Sequence, residues 1–256
     1  LDIKDKEFEE LIHYTSNIHD LSVSSLNMTD SALGGLLLTS VDFSHCKKLT
    51  HNALRRLQGM LLTSVNFNCC NKLTNGALSY LKGMPLTSVD FCRCEKLTDR
   101  ALGYLKGMPL TSVNLSGCYR LTDDALSHLQ GMPLTSVNFS SCYRLTDHAL
   151  SYLKGMNLTS VKFSWCRELT DDALRYLEGM PLTSVNFASC DELTDKTLGY
   201  LKKMKLISIN FRACDLTDDM LDSLKEMPLT SVDFTLCDKL SSQTHTYLRK
   251  IPEHRF

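Results

Sequence analysis

The sequence is poor in the features that name a function directly. Its 28 basic and 29 acidic residues leave a net charge of −1, without the excess that marks a general nucleic-acid or anionic-membrane binder. No apolar run reaches the length of a membrane span, and no signal peptide is visible. The 8 histidines are scattered. His51, His128 and His148 fall at unequal places in the pattern described below, and no Ser-His-Asp arrangement, carboxylate pair or phosphate loop can be placed. Neither catalysis nor a cofactor is expected. The chain starts at Leu1 rather than methionine, as a protein trimmed of a targeting segment or an upstream domain would.

What the chain has is repetition. Copies begin at Leu38, Leu62, Leu86, Leu110, Leu134, Leu158, Leu182, Leu206 and Leu229, a period of 24 residues with one copy of 23 starting at Leu206. A fixed period of this size means a solenoid, one elongated domain rather than two compact ones. Within the copy at Leu134, Val137 and Phe139 alternate with Ser136, Asn138 and Ser140, which predicts a short strand with one buried face. Thr146 fits a helix N-cap, with Asp147 in the first turn where the dipole favours it. Ala149, Leu150 and Leu153 recur at helical spacing. Gly155 suits a helix-ending residue at positive φ, with Met156 folding back on the helix. Proline closes the copy at Pro85, Pro109, Pro133, Pro181 and Pro228, where it stops the helix. No single copy can bury its apolar face, but stacked copies share one core. Strand neighbours lie about 4.8 Å apart, so nine rungs span about 40 Å.

The string L-x-x-V-x-F-x-x-C followed by L-T-D-x-A-L resembles the leucine-rich repeat, in its cysteine-containing subfamily. The match covers residues 38–252, and a shortened copy at Met28-Thr29-Asp30-Ser31-Ala32-Leu33 extends it back to about residue 26. The resemblance implies an α/β horseshoe, with parallel strands on the concave face and short helices on the convex face. It also points to the substrate-reading half of F-box ubiquitin-ligase receptors and to the GALA group of bacterial effectors that imitate them. Residues 1–25 are expected to form an N-terminal helical cap, with Phe8, Leu11 and Ile12 on its apolar side. They are too few for an F-box. Residues 26–252 form the array and 253–256 a tail. In the last copy Thr244 and His245 replace the inward Ala-Leu pair, giving the polar face an end cap needs.

There are 11 cysteines. Cys46, Cys70, Cys94, Cys118, Cys142, Cys166, Cys190, Cys214 and Cys237 share one repeat position and are expected to stack as buried apolar thiols. No ligand pairs suggest zinc, and unpaired thiols favour a reducing cytosol. Cys69 and Cys92 are extra and fall at more open positions.

The copies are nearly interchangeable in the core, so the positions that differ are informative. The fifth strand position carries Asp or Asn in every copy except one, where Lys162 stands. The residues flanking the ladder cysteine vary most. Mid-array they become aromatic and basic: Tyr119, Arg120, Tyr143, Arg144, Trp165 and Arg167. Trp, Tyr and Arg are the usual interface anchors, so these residues with Lys162 are the candidate partner-binding set. Alternatively, Tyr119 and Tyr143 stack on each other with the arginines solvated beside them. Further along, the edge turns acidic at Glu168, Asp191, Glu192, Asp215 and Asp218. Such a gradient orients a partner or is screened into irrelevance. Three functions fit: a protein-recognition module, of the kind a pathogen effector turns on a host protein; a structural spacer; or a small-molecule or sugar surface using the Ser/Asn ladder. A monomer with a protein partner is expected, and no nucleic acid or membrane.

Overall fold

The computed structural model describes residues 19–22 and 37–256. Eleven three-residue strands form one sheet in strict chain order: β1 Asp20–Ser22, β2 Ser40–Asp42, β3 Ser64–Asn66, β4 Ser88–Asp90, β5 Ser112–Asn114, β6 Ser136–Asn138, β7 Ser160–Lys162, β8 Ser184–Asn186, β9 Ser208–Asn210, β10 Ser231–Asp233 and β11 Glu253–Arg255. Every pair is parallel and in register, Val137 beside Val113 and Val161. A short helix follows each strand from β2 to β10 and returns the chain for the next rung. The expected open solenoid of parallel strands and short helices is therefore present.

Two boundaries differ from expectation. Glu253–Arg255, expected as a tail, adds β11 to the sheet beside β10. Asp20–Ser22, inside the stretch expected to be helical, is strand β1. Phe8, Leu11, Ile12 and the shortened copy at residues 28–33 lie outside the described residues.

The helices are only 4 to 7 residues long, far below the length at which a helix is stable alone. Packing holds them. The inward Ala, Leu and Leu of the helices up to Leu177 and their counterparts Leu198, Leu201, Met220, Leu224 and Leu248, with the strand Val and Phe and the ladder Cys, form one continuous core. Its axis is a file of phenylalanines. Phe139, Phe163, Phe187 and Phe211 stack with centroids 5.8 to 6.0 Å apart, and Leu115 interrupts the file. Six of the helices end where Gly155 and its equivalents, Gly59, Gly83, Gly107, Gly131 and Gly179, adopt φ of 77 to 84°. There the Met156 N–H closes the turn on the Leu153 carbonyl at 3.1 Å.

The aspartates that open the helices do more than face a dipole. Asp147 accepts the Thr170 N–H at 2.8 Å and the Thr170 hydroxyl at 2.7 Å, both from the next rung. That hydroxyl oxygen in turn caps its own helix by accepting the Asp172 N–H. Asp99, Asp123, Asp171 and Asp195 repeat the staple. Asn75 makes a version of it, accepting the Thr98 N–H and donating to the Thr98 hydroxyl. At the C-terminal end Thr244 is fully buried rather than part of a polar outer face, because its hydroxyl donates to Asp218 at 2.6 Å.

Asp147→Ala is expected to lower the unfolding free energy by about 1–2 kcal/mol, the worth of two half-buried charge-assisted hydrogen bonds, and Asp147→Asn by less. Urea denaturation followed by circular dichroism measures both. Bonds from Ser241 and Thr244 hold the Asp218 carboxyl below its usual value of 3.8. Its contribution is therefore complete above that value and lost as pH falls through the lowered one. The urea midpoint of Asp218→Asn is expected to fall below that of the parent chain at neutral pH and to converge with it in acid.

Candidate functional site

Each strand runs into a turn whose geometry decides which side chains face outward. The fifth-position carboxamide or carboxylate bonds back to the chain: Asn138 Oδ1 accepts the Ser140 N–H at 3.0 Å, and Asp90 Oδ1 accepts the Cys92 N–H at 2.9 Å. One residue later the backbone turns left-handed. His45, Cys69, Arg93, Ser141, Trp165, Ser189, Ala213 and Leu236 have φ of 56 to 65°, and Gly117 has 72°. For a residue with a side chain this conformation costs about 1–2 kcal/mol. The turn is held by its amide, which donates to the next rung, as Trp165 does to the Ala188 carbonyl at 2.8 Å. The position before the ladder cysteine is thus fixed by its backbone, and its side chain type is free to vary.

The candidate residues sit on this edge, on the rungs of β5, β6 and β7. Tyr119, Tyr143 and Trp165 are 39, 48 and 46 % exposed. Arg120, Arg144, Lys162 and Arg167 are exposed. Tyr119 donates its hydroxyl to Glu95 at 3.5 Å. Among the described residues the ring contacts run through the core phenylalanines and through His pairs, and none joins Tyr119 to Tyr143. The Arg167 guanidinium lies 5.3 Å from the Trp165 ring centroid and 3.5 Å from the Asp191 carboxylate, so one cation ties the ring to the next rung.

The β7 rung is exceptional twice. Lys162 cannot accept the turn amide as Asn does, and the Ser164 hydroxyl turns instead to Asn186 Oδ1 at 2.6 Å. Lys162 is also exposed where its equivalents are half-buried. The free ammonium and the indole therefore occur on the same rung. Three cavities occur among the described residues, and none is lined by these side chains. One of about 460 Å³ rests on the last rungs, lined by Asn210, Asp233, His254 and Arg255.

The others, about 720 and 550 Å³, lie on the opposite edge between Gly-Met turns and the following tyrosine, Tyr200 or Tyr152. Tyr80, Tyr104, Tyr152, Tyr176 and Tyr200 form a half-buried row there, packed on the core. Sequence reasoning passed over them because they stand at a helical position one step from the inward Leu.

The ladder thiols are more than small apolar groups. From Cys70 to Cys237 each donates Sγ–H to the phenylalanine or leucine carbonyl 26 or 27 residues back, as Cys166 does to Phe139 at 3.3 Å and Cys142 to Leu115 at 3.4 Å. Burial pushes Cys70, Cys118, Cys166 and Cys214 up to about 12. They stay protonated, which the hydrogen bond requires, and are poor nucleophiles. No group of three or more potential ligands for a metal occurs among the described residues. No helix among them is long and apolar enough to cross a membrane.

No protein-family model matches the sequence, and no curated protein matches it. Solved structures do match in shape. The Rad7–Elc1 complex of yeast contains a chain with a TM-score of 0.60 and 19 % identity, over 94 % of this chain and 75 % of that one. A chain of the Toll–Spatzle complex of Drosophila gives 0.51 and 14 %, over 89 % of this chain and 38 % of that one. The fold is that of a leucine-rich-repeat solenoid.

Ala213→Gly is expected to raise stability by about 1 kcal/mol by relieving the left-handed turn. Gly117→Ala is expected to lower it, since its Cβ would also meet Arg93 Cγ at 3.0 Å. Thermal or urea unfolding separates the two signs. In alkylation with iodoacetamide, Cys69 and Cys92, the two half-exposed thiols, are expected to react in the folded chain and the nine ladder thiols only after denaturation, as read by peptide mass spectrometry.

Proposed function

We propose that the chain is a protein-recognition module whose contact surface is the open sheet face and its aromatic and basic edge: Tyr119, Arg120, Tyr143, Arg144, Lys162, Trp165 and Arg167. The observation that carries this reading is the contrast between a constant scaffold and this edge. The turn that presents each side chain repeats from β2 to β10, while the presented residue changes from rung to rung. Three large rings stand 39 to 48 % exposed on consecutive rungs, and the core does not require them. Aromatic and arginine side chains that are accessible and rigidly mounted are what interface centres are made of. The chains of similar fold come from structures of complexes, Rad7 with Elc1 and Toll with Spatzle, which supports a partner-binding use of this scaffold.

The cysteine ladder and the L-T-D-x-A-L segment resemble those of the cysteine-containing subfamily. With the GALA resemblance, this makes a host cytosolic protein the proposed class of target and the cytosol the proposed site of action, with the chain acting as a monomer. Open edges of this shape favour an extended partner over an enclosed small molecule.

Affinity capture from lysate tests the reading. The intact chain is expected to retain a specific protein that is lost by a variant carrying Tyr143→Ala, Trp165→Ala and Arg167→Ala, once circular dichroism shows both folded. Equal capture by both places the contact elsewhere, and no specific capture by either supports a spacer.

A further inference from the structure

Two residues after the ladder cysteine, the six rungs from Cys70 to Cys190 carry a row of charges. Reading up the array they are Lys72, Lys96, Arg120, Arg144, then Glu168 and Glu192, and all six are exposed. At two rungs the backbone beside the row pairs with the rung before, Glu168 and Glu192 bridging in parallel to Thr146 and Thr170. None of the six side chains belongs to an ion pair among the described residues. The pairs found there join Arg167 to Asp191, Lys202 to Glu226, Lys225 to Asp222 and Lys239 to Asp215. Even Arg144 and Glu168, at matching positions on neighbouring rungs, do not pair. The row is a charge pattern left unneutralised by its own protein, beside the exposed rings of Tyr119 and Tyr143.

We propose that this row reads an extended peptide of mixed charge, with acidic side chains over Lys72, Lys96, Arg120 and Arg144 and basic side chains over Glu168 and Glu192. The proposal rests on the recognition reading above and names the partner's chemistry. Five rung spacings of about 4.8 Å separate Lys72 from Glu192, about 24 Å, which an extended strand at about 3.3 Å per residue covers with roughly seven residues. The sign change selects the class of partner. A uniform polyanion, whether nucleic acid or an anionic membrane, is welcome over four rungs and then meets Glu168 and Glu192, where like charges repel. A peptide with acidic residues at one end and basic residues at the other satisfies both halves. It has one preferred direction along the solenoid. Exposed charges make the attraction salt-dependent, since they are screened beyond about 10 Å at moderate ionic strength.

Fluorescence anisotropy with defined probes tests this. The probes are a fluorescein-labelled peptide with an aspartate-rich first half and a lysine-rich second half, the same peptide reversed, an all-aspartate peptide of equal length, a short oligothymidylate and phosphatidylserine vesicles. One of the two mixed peptides is expected to bind the intact chain at least about tenfold more tightly than every other probe, about 1.4 kcal/mol. Arg120→Glu with Arg144→Glu is expected to abolish that preference. Glu168→Lys with Glu192→Lys is expected to transfer it to the all-aspartate peptide. Circular dichroism checks that both variants fold. The proposal is overturned if no peptide binds, if the all-aspartate peptide, oligothymidylate or vesicles bind the intact chain as well as the mixed peptides, or if the charge reversals leave the ranking unchanged. A captured protein that depends on Trp165 but not on Arg120 and Arg144 would leave the recognition reading standing and remove this one.

Discussion

Each rung of this molecule supplies the hydrogen-bond partners of the next. At the strand exits the Phe43 amide donates to the Asn66 carbonyl, the Phe67 amide to Asp90 and the Phe139 amide to Lys162, at 2.7 to 2.8 Å. At the strand entries the Thr63 amide donates back to Thr39 and the Thr159 amide to Thr135. A buried backbone group without a partner is costly, so a rung can be satisfied only by a neighbour in the same register. That requirement forces repetition. The Thr hydroxyls, which like that of Thr159 donate to the preceding Thr carbonyl, the Asp-to-Thr staple, the cysteine thiols on the preceding carbonyls and the phenylalanine file follow as side chain versions of the same rule.

The rule also explains where variation is allowed. Core positions see identical neighbours on both sides, so one large change disturbs three rungs. The turn after the strand is held by its amides and by the Asx bond, and its side chains project away from the stack. A residue there needs only to tolerate left-handed φ. Tolerance has a cost in free energy, and only Gly117 among the nine such positions avoids it. Keeping His45, Arg93, Trp165 and Leu236 in this strained conformation is reasonable where the side chain has a use that outweighs the strain.

On the surface that results, the three cavities described above lie away from the aromatic edge. Its distinguishing features are linear: a row of rings, a row of charges that changes sign, and a single rung at β7 where an exposed ammonium, an indole and a guanidinium shared with Asp191 come together. Linear features spaced by rungs suit contacts spread along a partner rather than a point of chemistry.

The sequence alone determined the period, the alternation of strand and helix, the core residues and the shared position of the nine cysteines, because each is a local pattern copied in register and side chain periodicity depends only on backbone geometry. It also singled out the variable residues beside the cysteine, since copies of one unit can be compared with each other. Tertiary structure alone decided what the copies do to one another. Asp147 reads as a helix-opening residue until Thr170 is seen to sit across from it. Thr244 reads as a polar cap until Asp218 is found above it. Residues 253–256 read as a tail until β10 offers Glu253–Arg255 an unpaired edge. The left-handed turn at Trp165 is invisible in a residue type that seldom adopts it. In each case the deciding partner stands roughly one period away in the chain, and proximity across a period is created by stacking.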